Sequence, residues 1–131
     1  MLTAQEAAEL SRQLVDGEVL LQTKMWGETN DRADISQGQL MGAALAQIYA
    51  VGITEFSDTR ESAFDQAEME FFPADWGGFR DYGSDIANLV VAAAYLRNEI
   101  KRRLMNGESS HRAPRRADQV FDGSCVPNPI A

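Results

Sequence analysis

A chain of 131 residues with 44% hydrophobic and 24% charged residues is long enough to close one core unaided and too evenly composed for wholesale disorder. Its formal net charge of −8 repels phosphate backbones, so no nucleic acid is expected as a partner, while a basic protein surface or a small anion in a local positive pocket remains open. The lone cysteine, Cys125, and lone histidine, His111, exclude a disulfide framework, a Cys/His zinc site and a Ser-His-Asp relay, and no apolar run approaches the roughly 20 residues that cross a bilayer.

The start, Met-Leu-Thr-Ala-Gln-Glu, has neither the basic segment nor the apolar stretch of a secretory signal, which predicts a cytoplasmic location and no membrane partner. Thr3 followed by Glu6 forms a capping box that opens a first helix, with Ala7, Ala8, Leu10 and Leu14 on a narrow apolar face. Asp16-Gly17 predicts a kink or stop, after which Glu18 to Met25 reads as a second short helix. Trp26 to Asp34 is a loop rich in Gly, Asn and Asp. Ser36 with Gln39 begins the next helix, which carries Leu40, Ala44, Ile48 and Val51 at helical spacing and is expected to end at Gly52. Its small residues, Gly42, Ala43, Ala44 and Ala46, admit a close neighbour.

Asp58 with Glu61 predicts a third capped helix bearing Ala63, Phe64, Ala67 and Phe71, closed by Pro73. Residues 71–82 form a second special loop, dense in aromatics and glycine. From Ser84 or Asp85 the longest helix runs to about Met105, with Ile86, Leu89, Val90, Ala93, Leu96, Ile100 and Leu104 in one apolar stripe. Lys101, Arg102 and Arg103 complement its dipole, and Asn106-Gly107 caps it. No segment alternates as a strand would. The expected fold is all-α: a compact bundle of four to five helices in one domain, 1–107, with two functional-looking loops and a flexible tail, 108–131. The small-residue helix 36–51 or the stripe of 86–104 supplies a surface for a homo-oligomer.

Three places invite chemistry. In the first loop, Glu28, Asp31 and Asp34 offer hard oxygen ligands for Mg²⁺, and Asp85, four residues after Asp81, is a further candidate ligand on the long helix. In the second, Phe72 and Trp76 beside Arg80 combine ring faces with a guanidinium, as a nucleobase and its phosphate require. The alternative reading is that Phe71, Trp76 and Phe79 plug the open end of the bundle. Lys24 and Arg32 add positive charge, and Asn88 shares a helix face with Asp85.

The series Gln22, Lys24, Trp26-Gly27, Asp31, Asp34, Gly38-Gln39-Leu40, Ala43-Ala44, Tyr49, Phe72-Pro73 and Trp76, continued by Arg80-Asp81, Asp85, Ala92-Ala93, Asn98-Glu99-Ile100 and Arg102, resembles a family of small phage and prophage proteins over roughly residues 18–104. That family is similar in helix pattern to the MazG-type all-α nucleoside triphosphate pyrophosphohydrolases, which hold Mg²⁺ on paired acidic motifs. Here Gln39 stands where the phage family has glutamate, and Asp85 with Asn88 supplies one carboxylate and one amide. The resemblance implies a noncatalytic phage accessory protein in an infected bacterial cell. Its ligand would be nucleotide-like, held by Lys24, Trp26, Arg32, Gln39, Phe72, Trp76, Arg80 and Asn88, and its task the sequestration of a host immune signal. The alternatives are a Mg²⁺-dependent pyrophosphohydrolase, an acidic inhibitor of a host protein, and a virion component.

Overall fold

Four α-helices make up most of residues 1–26 and 38–108, the parts of the chain that the computed structural model describes, and no strand occurs among them. They are α1 (Ala4–Trp26), α2 (Gln39–Ile53), α3 (Arg60–Phe71) and α4 (Asp85–Met105), with a 3₁₀ turn at Thr54–Phe56. The all-α architecture expected from periodicity is therefore the one found. α2 has Gly38, not the expected Ser36, as its N-cap, with no side-chain cap hydrogen bond. Glu28, Asp31, Arg32, Asp34, Ser36 and the tail from residue 109 lie outside the described residues.

Local capping fixes most helix ends. In α1 the box closes both ways, Glu6 N donating to Thr3 Oγ1 (3.1 Å) and Thr3 N to Glu6 Oε1 (3.0 Å). The Thr59 hydroxyl, one residue after the expected Asp58, accepts from Ser62 N (3.0 Å) and opens α3. Ser84 Oγ accepts from Ala87 N (3.1 Å) and opens α4. At the far end of α4, Gly107 takes a left-handed φ of 86°. Its N–H donates to Leu104 O (3.1 Å) and that of Glu108 to Arg103 O (3.0 Å), a Schellman closure.

Two glycines do not act as the sequence suggests. α1 passes straight through Gly17, so one helix replaces the expected two, and α2 passes through Gly52 to Ile53. A glycine inside a helix costs about 1 kcal/mol but breaks it only where the chain leaves helical φ. Here Asp16 pairs with Arg97 of α4, and Gln22, one turn beyond Gly17, is buried, so α1 is held on both sides of the glycine.

The helices form a row in the order α1, α4, α2, α3, with α4 packed on both α1 and α2, and α2 packed on both α4 and α3. Arg103, near the end of α4, donates to Met41 Sδ at the start of α2 (3.6 Å), so these two helices run antiparallel. Their seam is built from Leu40, Ala43, Ala44 and Ala46 of α2 against Val91, Ala92 and Tyr95 of α4. The segment between α3 and α4 straps across this seam. Phe72 is buried there, with its ring centroid 5.0 Å from Phe79 and 5.9 Å from Trp76. The interior is unusually polar: of its largest fully enclosed side chains, Leu40 is aliphatic while Gln47, Asn88 and Asn98 are amides. The face that α4 buries carries Asn88, Val91, Ala92, Tyr95, Asn98 and Glu99. Ile86, Leu89, Leu96, Ile100 and Leu104 of its apolar stripe stay exposed.

Candidate functional site

The strap between α3 and α4 is anchored by Asn88, one turn into α4. Its Oδ1 accepts from Tyr82 N (2.8 Å) and its Nδ2 donates to Asp81 Oδ1 (3.0 Å), so this buried amide holds the strap in place. Asp81 is the hub. It accepts from Gly83 N (2.9 Å) and from Arg60 of α3, whose guanidinium also reaches Asp85 Oδ1 (3.0 Å). The Arg60 guanidinium holds the Asp81 carboxyl well below the usual carboxylate range, with the Asn88 amide and Gly83 N–H adding to the effect against a burial penalty. Gln47 of α2 donates to Arg80 O (3.2 Å) and fixes the middle of the strap.

These tethers form a groove of about 300 Å³ between α3 and the strap. Its apolar floor is Phe64 and Phe79, ring centroids 5.9 Å apart. Arg60 and Arg80 flank it, the first 5.2 Å over the Phe64 ring and the second 4.9 Å over Tyr82. Glu61, Asp65 and Glu68 of α3 form the remaining wall. Ring faces, guanidinium donors and carboxylate acceptors thus meet in one hollow.

The residues singled out from sequence divide between two regions. Arg80 lines the groove, Asn88 buttresses it from beneath, and Asp85 is tied to Arg60. Phe72 and Trp76 belong to the same strap, but pack inward on the core, where Trp76 lies 6.5 Å from Tyr95. Lys24 and Gln39 lie elsewhere, in the last turn of α1 and at the first residue of α2. Eight residues, roughly 12 Å of helix, separate Gln39 from Gln47 and its Arg80 contact. Trp26 ends α1. Among the described residues no three carboxylate, histidine or cysteine side chains gather as a metal site would need.

Sequence reasoning missed Arg60, Phe64 and Glu68. A signal existed for the first: Arg60 is the sole cation between Glu55 and Asp75, a stretch with seven carboxylates. The second polar region was foreshadowed only by the Gln22 and Asn98-Glu99 matches. There Asn98 Nδ2 donates to Gln22 Oε1 (2.7 Å), joining α4 to α1. Glu99, also buried, accepts from Arg102 Nε (2.8 Å) and Arg103 Nε (2.8 Å). Burial pushes the Glu99 carboxyl up, but the two guanidiniums outweigh it and hold it below its ordinary value.

Compared with known proteins, the chain matches no family model, no curated protein and no solved structure.

Proposed function

We propose that this chain is a noncatalytic phage accessory protein that binds a small nucleotide-like ligand in the groove between α3 and the strap, sequestering a host signal. The observation that carries the reading is the meeting of the partly exposed Phe79 ring and the exposed Arg80 side chain at one hollow of about 300 Å³, whose wall Arg60 holds in place through Asp81 and Asp85. Rings stack a base, a guanidinium pairs with phosphate oxygens, and carboxylates such as Glu61 and Glu68 accept from ribose hydroxyls or exocyclic amines. Asn88 and Asp81 hold the strap, so the groove is formed before a ligand arrives, which lowers the ordering cost of binding.

The test is calorimetric titration of the full chain with cyclic nucleotides and nucleoside triphosphates. At least one is expected to bind, and Arg80→Ala, an exposed change, should weaken it by about 10- to 100-fold, the value of a charge-assisted hydrogen bond. Arg12→Ala on α1 should leave it unaltered. Absence of binding by every nucleotide tested would overturn the reading, and pyrophosphate release in the presence of Mg²⁺ would replace it with the pyrophosphohydrolase alternative.

A second reading draws on α3 and its flanks, where Glu55, Asp58, Glu61, Asp65, Glu68 and Glu70 surround a single arginine. Such a face suits a basic host protein. Binding of that kind weakens steeply with salt, whereas stacking on Phe79 does not.

A further inference from the structure

We infer that the chain forms a two-fold dimer through the exposed stripe of α4, with the two α4 helices antiparallel. Ile86, Leu89, Ala93, Leu96 and Ile100 follow one another at intervals of three, four, three and four residues, the spacing by which one helix packs along another. Among the described residues α1 and α2 pack mainly on other faces of α4, and only Ile86 at the start of the stripe borders a hollow shared with Leu14 and Glu18 of α1. Ile86 is 68%, Leu89 45%, Leu96 39% and Ile100 58% exposed. On α2, Met41, Leu45 and Ile48 are exposed too, and the Arg103–Met41 contact sets this second stripe beside the first. Together they present on the order of 700 Å² of apolar surface per copy, close to the about 800 Å² that each partner of a stable pair buries. It also exceeds what a soluble monomer ordinarily leaves open.

The helix dipole selects the direction. Asp85, Arg97, Arg102 and Arg103 of α4 are already engaged within the chain, by Arg60, Asp16 and Glu99. An antiparallel pair opposes the two helix dipoles, whereas a parallel pair aligns them. Side-chain size fits the same direction. About a two-fold axis at the middle of the stripe, Leu96 meets the partner's small Ala93, and Ile100 meets the partner's Leu89. The protruding Ile86 then reaches the partner's hollow of about 300 Å³, lined by Arg97, Ile100, Lys101 and Leu104. One surface is complementary to itself, as an isologous contact requires.

Sedimentation of the full chain should give twice the 14.5 kDa mass of one copy. Leu96→Glu should halve that mass with helical circular dichroism unchanged, because Leu96 lies outside the chain's own core. Met69→Glu, on the opposite flank of the row, should leave it doubled. In a Cys125→Ser background, oxidising a mixture of Leu89→Cys chains and Ile100→Cys chains should yield a cross-linked pair, while either variant alone stays uncross-linked. A wild-type mass of one chain, or a doubled mass surviving Leu96→Glu, overturns the dimer. Cross-linking of Leu89→Cys chains to themselves overturns the antiparallel arrangement.

Discussion

Gly42→Ala is expected to destabilise the chain by about 1–2 kcal/mol, although alanine is the better helix former by about 1 kcal/mol. The cause is a close approach of backbones. A Cβ at residue 42 would stand 2.7 Å from the carbonyl oxygen of Phe71, where α3 ends, and 3.8 Å from the Pro73 ring. The obstructing oxygen is main chain and cannot swing aside, so either α2 shifts away from α3 or the strap lifts at its root. The strap carries Phe72, Trp76 and Phe79 into the seam, so the loss spreads beyond the one contact. Urea unfolding at fixed protein concentration measures it, since any dimer makes stability depend on concentration. An unchanged or raised midpoint would show that the approach of α3 to α2 is looser than described. Gly52→Ala is the control: nothing stands within 4 Å of its Cβ position, so only the helix-propensity gain should appear.

Glu99→Ala should cost about 3–5 kcal/mol, the usual consequence of removing one partner from a buried ion pair. Glu99 is 3% exposed, and Arg102, with a side chain 11% exposed, has no other acceptor among its described hydrogen bonds. The loss therefore strands a guanidinium in the interior. The same carboxylate contributes to acid sensitivity. Its pKa is lower in the folded chain than in the unfolded one, so its stabilisation is complete above the ordinary glutamate range and disappears as pH falls through that range towards the folded value. Asp81, held low by Arg60, acts in the same direction. Unfolding midpoints across the acid range should show a shallower decline for Glu99→Ala than for wild type. Parallel declines would mean that Glu99 titrates alike in both states.

The features legible in the sequence are those decided within one helical turn. The Thr3–Glu6 box, the Ser84 cap and the Asn106-Gly107 closure all form where side-chain spacing places them, because each needs only neighbours three or four residues away. The choice of buried face was not legible in this way. Pattern alone marks Ile86, Leu89, Leu96 and Ile100 as the sticky side of α4, yet the chain buries Asn88, Asn98 and Glu99. Each has a specific duty that periodicity does not encode: Asn88 holds the strap, Asn98 meets α1, and Glu99 gathers two arginines.

The groove was half legible for the same reason. Arg80 could be picked out beside its aromatics, but Arg60 lies 21 residues from Asp81, and nothing local joins them. Phe72 and Trp76 were weighed as ring platforms, and Phe71, Trp76 and Phe79 as a plug. The inward packing of all four favours the plug, and Phe64 is buried too, so the partly buried Phe79 is the ring that borders the hollow.

Because the helices stand in single file, each inner member is guarded on two flanks and each outer member on one. Opening can then proceed from the edges, α1 or α3 peeling off while α2 and α4 stay clasped. Every residue from 1 to 14 is exposed, so the leading half of α1 is held mainly by its own ladder of hydrogen bonds, which is weak support for a helix of that length. Deuterium should enter those amides first and the α2–α4 pair last, a gradient laid down by the order of the file.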